Sequence, residues 1–495
     1  MSVDSLGCHW LAPYGRRVEI PVETPNLERL AAMGTQFDRH RVGSLPCMPA
    51  RREFLAGVCE LLWRPWGPLE PFDVPLARAA RAHGVRTALV TDHFHYWEHA
   101  GRGYHEDFDT WEHVRGHEYD HWRVEPADPD PALLRQLLAP EREQLGFPNR
   151  RQYARNVHGL EREEDFFAAR VFTAATAALR GLARREPWFL YVDSFDVHEP
   201  FHCPEPYASM FTDEDPRDPE LVVWPEYGPA SSLTERQLAF VRAQFAGKLA
   251  MVDRWLGTLL DALDELGLWE TTTVILTSDH GHFLGEHGWL GKPFVPVYDV
   301  LARTPLWVAH PDGPRGRRVD ALSTAVDVYA TVLEALGAES DGGPHSRSLL
   351  PVVRGETDEH RDAVLYGWFG GAANVSDGRW TYFRPGTPGA RVACHSAHFL
   401  ATYPPDAWFR PPPVPREAEA GRFLPYADAP VWRYDGGAWP QAERPELYDV
   451  EADPDQLVDL AGRGDPNEAR LRDLLARELA RLDAPAEQLE RLELA

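Results

Sequence analysis

The chain has 495 residues and 43% hydrophobic content, enough for two domains or for one large α/β domain with a smaller appendage. Its 51 Lys and Arg against 77 Asp and Glu leave a net charge of −26, which excludes a general nucleic-acid or anionic-membrane surface. The opening MSVDSLGCHW lacks a secretory signal, no window reaches the ~18 apolar residues of a membrane span, and the five widely spaced cysteines form no disulfide framework. A soluble, cytoplasmic protein is expected, without nucleic-acid or membrane partners.

In chain order, SVDSL reads as the tail of a first strand ending at Asp4. TPNLERLAAMG predicts a helix with Thr24 as N-cap, Pro25 at its first position and Gly34 as its stop, with Leu27, Leu30 and Ala31 on one face. In VGSLPCMPARREFLAG, Cys47 stands near a helix start with Arg51 one turn away, and both features favour an anion there. Three later strands run into acid and imidazole groups: Thr87–Thr91 before His93 and His95, Trp188–Val192 before Asp196 and His198, and TTTVILT before Asp279 and His280. Long helical patterns lie between them, EEDFFAARVFTAATAALRGLARR and a second that Gly267 stops.

Strands separated by long helices imply an α/β fold with a mixed, mainly parallel central sheet flanked by helices, and a site beyond the strands' carboxyl ends. From about residue 355 the texture changes to short strands, AVLYGWFG and GRWTYFRP, then a Pro-rich excursion and a polar terminal helix. The expected division is a catalytic domain over 1–350 and a smaller α+β C-terminal domain over 351–495.

Singly, each candidate has a plainer reading. Cys47 could be a small core residue, Asp279 and His280 a turn with a solvated imidazole, Lys292 a surface lysine, and His93, His95 and His198 rings packed by aromatic neighbours. As a set they suit other work: Asp279, His280 and Asp4 are oxygen and nitrogen donors fit for a divalent cation. The histidine-rich stretch from His93 to His121 invites a second metal site, but its Tyr and Trp neighbours favour a pocket wall or a subunit contact, hence a homo-oligomer. The Pro-rich loop Tyr403–Pro425 reads as a lid, an oligomer arm or plain surface.

Several segments, in order, resemble one family. CMPAR carries the Cys-x-Pro-x-Arg signature by which sulfatase-family cysteines are oxidised to formylglycine, and ILTSDHGHFLGEHGWLGK resembles the second sulfatase signature. YGRRVEIPVETPNLERLAAMGTQFDRH, KLAMVDRWLGTLLDALDELGLWETT and ELYDVEADPDQLVDLA are similar to other parts of the same domain, so the resemblance runs from residue 3 to about 462. It implies an alkaline-phosphatase-like fold, a formylglycine nucleophile made from Cys47 by a maturation enzyme, and one metal ion, Ca²⁺ or Mn²⁺, held by Asp4, Cys47, Asp279 and His280. Arg51 would orient the hydrated aldehyde, His198 would protonate the leaving alcohol, and Lys292 would neutralise charge on the transferring group.

The departures from the family pattern are specific. Ser5 follows Asp4 where many members have a second aspartate, and His280 replaces an asparagine, which shifts metal preference toward manganese, zinc or iron. VTDHFHYW replaces a Gly-Lys-x-His segment, so His93 or His95 takes over substrate binding, and AGV stands where Thr-Gly-Arg is common. These changes resemble the branch of phosphonate monoester and phosphodiester hydrolases. Three residues before Asp4 make a short first strand, which predicts a native start upstream of Met1. The expected substrate is a sulfate ester, with a phosphonate monoester or phosphodiester as the alternative. A non-catalytic scaffold and an unmodified-cysteine metal phosphatase stand behind it.

Overall fold

A computed structural model describes residues 1–98, 103–142, 149–400 and 415–494. Its centre is an eight-stranded sheet: β1 (Ser2–Val3), β2 (Thr35–Phe37), β3 (Arg86–Thr91), β4 (Thr110–His113), β5 (Trp188–Ser194), β6 (Val274–Thr277), β7 (Leu306–Ala309) and β8 (Arg317–Val319). Their spatial order is β8-β2-β7-β6-β1-β5-β3-β4. β1 pairs in parallel with β5 and β6, β3 with β4 and β5, and β8 with β2, while β7 runs antiparallel to both neighbours. The sheet is therefore mixed and mainly parallel, as the strand–helix alternation predicts.

Alternate side chains of the inner strands feed two apolar layers. Val90 and Val192 join the layer under α1 (Pro25–Met33), α4 (Phe167–Leu182) and α5 (Glu235–Glu265). Leu89 and Tyr191 point the other way, into the layer of α2 (Cys47–Ala56), α3 (Leu76–Ala82) and α6 (Asp327–Ala335). The 31-residue α5 begins with a capping box between Thr234 and Gln237, and Gly267, in the left-handed region at φ 63°, follows its end.

The C-terminal region builds a five-stranded sheet in the order Glu446–Asp449, Trp380–Arg384, Ala373–Ser376, Val364–Trp368, Ser44–Leu45. Helix α7 (Pro466–Arg481) covers it with Leu471, Leu475 and Leu479. The last strand comes from far upstream, with Ser44 beside Gly367 and Leu45 beside Trp368 in parallel register. A separate sheet joins Arg391–Ser396, Val431–Ala438 and Ala418–Gly421. Of the Pro-rich excursion, residues 403–414 lie outside the described residues.

Candidate active site

β1, β5 and β6 are neighbours in the sheet, so the carboxylates near their carboxyl ends, Asp4, Asp193 and Asp279, converge. Arg51 unites them. Its Nε and Nη2 grip Asp193 Oδ2 and Oδ1 at 3.0 and 2.9 Å, Nη1 donates to Asp279 Oδ2 at 2.6 Å, and Nη2 lies 2.9 Å from Asp4 Oδ2. All four side chains are fully buried. Tyr96 Oη (2.9 Å) and Thr91 Oγ1 (3.3 Å) also donate to Asp193. Ser5, at φ 62°, donates its N–H to Asp279 Oδ1 and its hydroxyl to Asp4 Oδ1.

Cys47 is the first residue of α2, and Ser44–Leu45 fixes the chain that leads into it. Its Sγ lies 3.1 Å from His280 Nε2 and 3.4 Å from Lys292 Nζ. The helix start does not make it a thiolate. Burial first, and then Asp4, push the thiol well above its ordinary pKa, and Arg51 spends its charge on three carboxylates. This corrects the expectation of an anion at the cysteine.

Lys292 Nζ also donates to His198 Nε2 at 2.7 Å, while His198 Nδ1 donates to the Glu199 carbonyl at 2.7 Å. Burial and then Lys292 push His198 far below its ordinary range, so the ring is neutral and receives a hydrogen bond from the ammonium. Burial opposes the charge on Lys292, but the neighbouring acidic groups, with the carboxylates of Glu199 and Asp4 among them, outweigh it and hold the ammonium above the usual lysine range. Burial likewise opposes the Asp4 charge, and Arg51 and then Lys292 outweigh it, holding the carboxyl below the usual range.

Asp4, Cys47, Asp279 and His280 each offer one ligand atom, all within 4.8 Å of one another and all buried. Asp4 Oδ2 accepts no hydrogen bond, and His280 gives its Nδ1–H to the Gly281 carbonyl at 2.9 Å, leaving Nε2 toward the cluster. A carboxylate oxygen held by an ion pair but no hydrogen bond, a second carboxylate and an oriented imidazole suit a divalent cation.

The structure separates the two histidines expected to bind substrate. His95 lines the cavity beside Cys47, with Nδ1 2.7 Å from Glu98 and Nε2 3.2 Å from Glu118. His93 is fully buried against Phe195 at 4.1 Å, 3.5 Å from Asp4 Oδ2, and is not among the residues that line the cavity. His113 stacks on Trp97 at 3.9 Å and His117 pairs with Asp196 at 2.8 Å, while His99 lies outside the described residues. Among the described residues this stretch forms no second donor cluster.

Several contributors escaped the sequence reading. Asp193 sits inside an apolar strand, and a lone carboxylate there was the available signal. Lys248, an ammonium on the buried face of α5, donates to the His198 and Pro200 carbonyls at 2.9 Å each and pairs with Asp196 at 2.5 Å, fixing the loop that carries His198. Glu118, Glu199, Trp224 and Tyr227 reach the cavity from loops, and Arg150 from the start of the helix Arg150–Asn156, and their distant positions gave no signal.

A mainly parallel sheet with this cluster beyond its strand ends places the site where α/β enzymes carry theirs. The Sulfatase family model matches residues 4–338, and the chain belongs to the sulfatase family; it is a sulfuric ester hydrolase. The multifunctional alkaline phosphatase superfamily protein PehA of Trinickia caryophylli is 27% identical over 391 residues, 70% of this chain and 74% of that protein. The phosphonate monoester hydrolase of Agrobacterium radiobacter superposes with a TM-score of 0.66 at 23% identity, covering 98% of this chain and 94% of that one. BT4656, solved with its substrate D-glucosamine-2-N,6-O-disulfate, gives a TM-score of 0.62 at 16% identity, covering 98% and 97%. No helix among the described residues is long and apolar enough to cross a membrane.

Proposed function

We propose that this chain hydrolyses sulfate esters with a formylglycine nucleophile made from Cys47 by a maturation enzyme, with phosphonate monoesters and phosphodiesters as the alternative substrates of the same nucleophile. The observation that carries the reading is the cysteine of the Cys-x-Pro-x-Arg motif lying 3.1 Å from His280 and 3.4 Å from Lys292, inside a cluster of metal-type donors.

Asp4, Cys47, Asp279 and His280 would hold the metal, which when bound supplies positive charge beside the nucleophile and the transferring group. Formylglycine supplies a hydrated aldehyde, whose one hydroxyl attacks and whose other lets the transferred group be expelled. The chain's own groups do the rest. Arg51 fixes the carboxylates and the start of α2, donating also to the Cys47 carbonyl at 3.3 Å. Lys292 faces the attacking position and stabilises negative charge that develops on the transferring group. His198 Nε2, which accepts from Lys292 in the resting site, takes a proton from that ammonium and passes it to the departing alkoxide, and its backbone-bonded Nδ1 keeps Nε2 directed inward.

The test is paired. The Cys47 peptide from the native host is expected about 18 Da lighter than its unmodified form, the difference between a thiol and an aldehyde side chain. The purified enzyme is then assayed on aryl sulfates, phosphodiesters and phosphonate monoesters. An unmodified peptide together with no turnover of any class refutes the proposal.

A further inference from the structure

The cavity beside Cys47 has a volume of about 320 Å³ and two unlike halves. One holds Cys47, Lys292 and His198. The other is walled by Trp66, Trp224, Tyr227, Phe294 and Trp368 and edged by carboxylates. Glu118 and Glu199 are each only 2% exposed, so their charges act without much solvent screening.

Three cations, Arg150, His95 and Lys292, face the four carboxylates Glu98, Glu118, Glu199 and Glu226 around the second half, and Lys292 is shared with Asp4. Arg150 is engaged by Glu226 at 2.8 Å and by the Leu137 and Trp224 carbonyls. His95 lies between Glu98 and Glu118, one cation for two carboxylates. Glu199 accepts from Tyr227 Oη through Oε1, but Oε2 accepts no hydrogen bond, and the nearest imidazole nitrogens, on His198 and His282, are 3.4 and 3.6 Å away. A buried carboxylate oxygen without a donor is costly unless a cation comes to it. The aromatic wall already takes cations on its faces, Arg150 over Trp224 at 5.0 Å and Lys292 over Tyr227 at 5.8 Å.

We infer that this half of the cavity binds the alcohol part of the ester, and that this alcohol carries a positively charged nitrogen. The substrate is then a zwitterion, its anionic group at Cys47 and Lys292 and its cationic nitrogen against Glu199, Glu118 and the aromatic wall. The inference rests on the ester-hydrolase reading above and names the substrate class of that same site.

The test uses two esters of one shape, 3-(trimethylammonio)phenyl sulfate and 3-tert-butylphenyl sulfate, and their free phenols as ligands. The charged phenol is expected to bind the wild-type protein at least about tenfold more tightly by calorimetry, as a desolvated cation against aromatic faces and carboxylates does. This measure does not depend on leaving-group acidity or on turnover. In kcat/KM the charged ester is preferred, and Glu199→Gln shrinks that preference about tenfold, a change in ratio that cancels the esters' intrinsic reactivities. Glu118→Gln serves in the same role if Glu199→Gln fails to fold. Equal binding of the two phenols, or tighter binding of the neutral one, overturns the inference even if both esters are hydrolysed. Charge-selective binding with no turnover of any sulfate, phosphodiester or phosphonate refutes the ester-hydrolase reading and leaves the cation site standing.

Discussion

Arg51 and Arg52 are adjacent in α2, both fully buried, and each enters a cluster of three acids. Arg52 meets Glu60 at 3.1 Å and the carbonyls of Pro65 and Pro68, and beside it Arg64 binds Glu60, Glu70 and Asp73. Every carboxylate oxygen there is satisfied: those of Glu60 and Asp73 by Arg64, and those of Glu70 by Ser396 Oγ and the Ala397 N–H. Around Arg51 the same three-acid arrangement holds Asp4 Oδ2 only by the ion pair to Arg51 at 2.9 Å, with no hydrogen bond, and leaves His280 Nε2 facing the thiol. A closed network fastens loops, whereas one with acceptors left over has room for a ligand.

The contrast breaks most sharply when the arginine that binds three acids is replaced in each cluster, by a charge-keeping residue at Arg51 and an apolar one at Arg64. Arg51→Lys keeps a charge but loses the fork that holds Asp193, and kcat/KM is expected to fall on the order of 10²- to 10³-fold while the melting temperature moves little. Steady-state kinetics beside thermal melting checks both halves; an active Arg51→Lys enzyme removes the distinction between the clusters. Arg64→Leu is expected to do the reverse, leaving buried carboxylates uncompensated at a cost of about 3 to 5 kcal/mol in denaturant unfolding, with kcat per folded molecule kept within a few-fold.

The smallest effect sharpens the edge of the active cluster. Burial opposes a charge on His95, but Glu98 and Glu118 outweigh it and raise its pKa to about 9. Because the folded value lies above the unfolded ~6.5, this stabilisation is complete below pH ~6.5 and is lost as the pH rises through about 9. The loss of unfolding free energy between pH 6 and pH 10 is therefore expected to be smaller in His95→Gln than in the wild type, by on the order of 2–3 kcal/mol. Identical pH profiles would show that His95 is neutral in the folded chain.

The sheet and its helices were readable because their signals are local. Periodicity marked β3, β5 and β6, and Pro25, Gly34 and Gly267 marked helix limits close to those found. The convergence of strand ends in a parallel sheet pointed to Asp4, Asp279 and His280 as a group, the family resemblance added Cys47, and the structure brings all four together. His93 was misread because a histidine after a strand looks the same whether it faces a cavity or packs on Phe195. The thiol's protonation was misread for a related reason: whether Arg51 serves Cys47 or the carboxylates behind it depends on contacts with β1, β5 and β6. Glu118, Glu199 and Tyr227 belong to loops, and no sequence pattern brings them to one wall.

The two residues Ser44 and Leu45, docked on Gly367 and Trp368, also set an order of events in biosynthesis. Their partners are synthesised more than 300 residues later, and in the finished protein Cys47 keeps only 3% of its surface. An enzyme that modifies this thiol must therefore reach it while the chain is still being made or before the C-terminal sheet closes over it. Under the proposed conversion of Cys47, maturation and folding become competing rates, and a chain that folds too soon would be sealed with its cysteine intact.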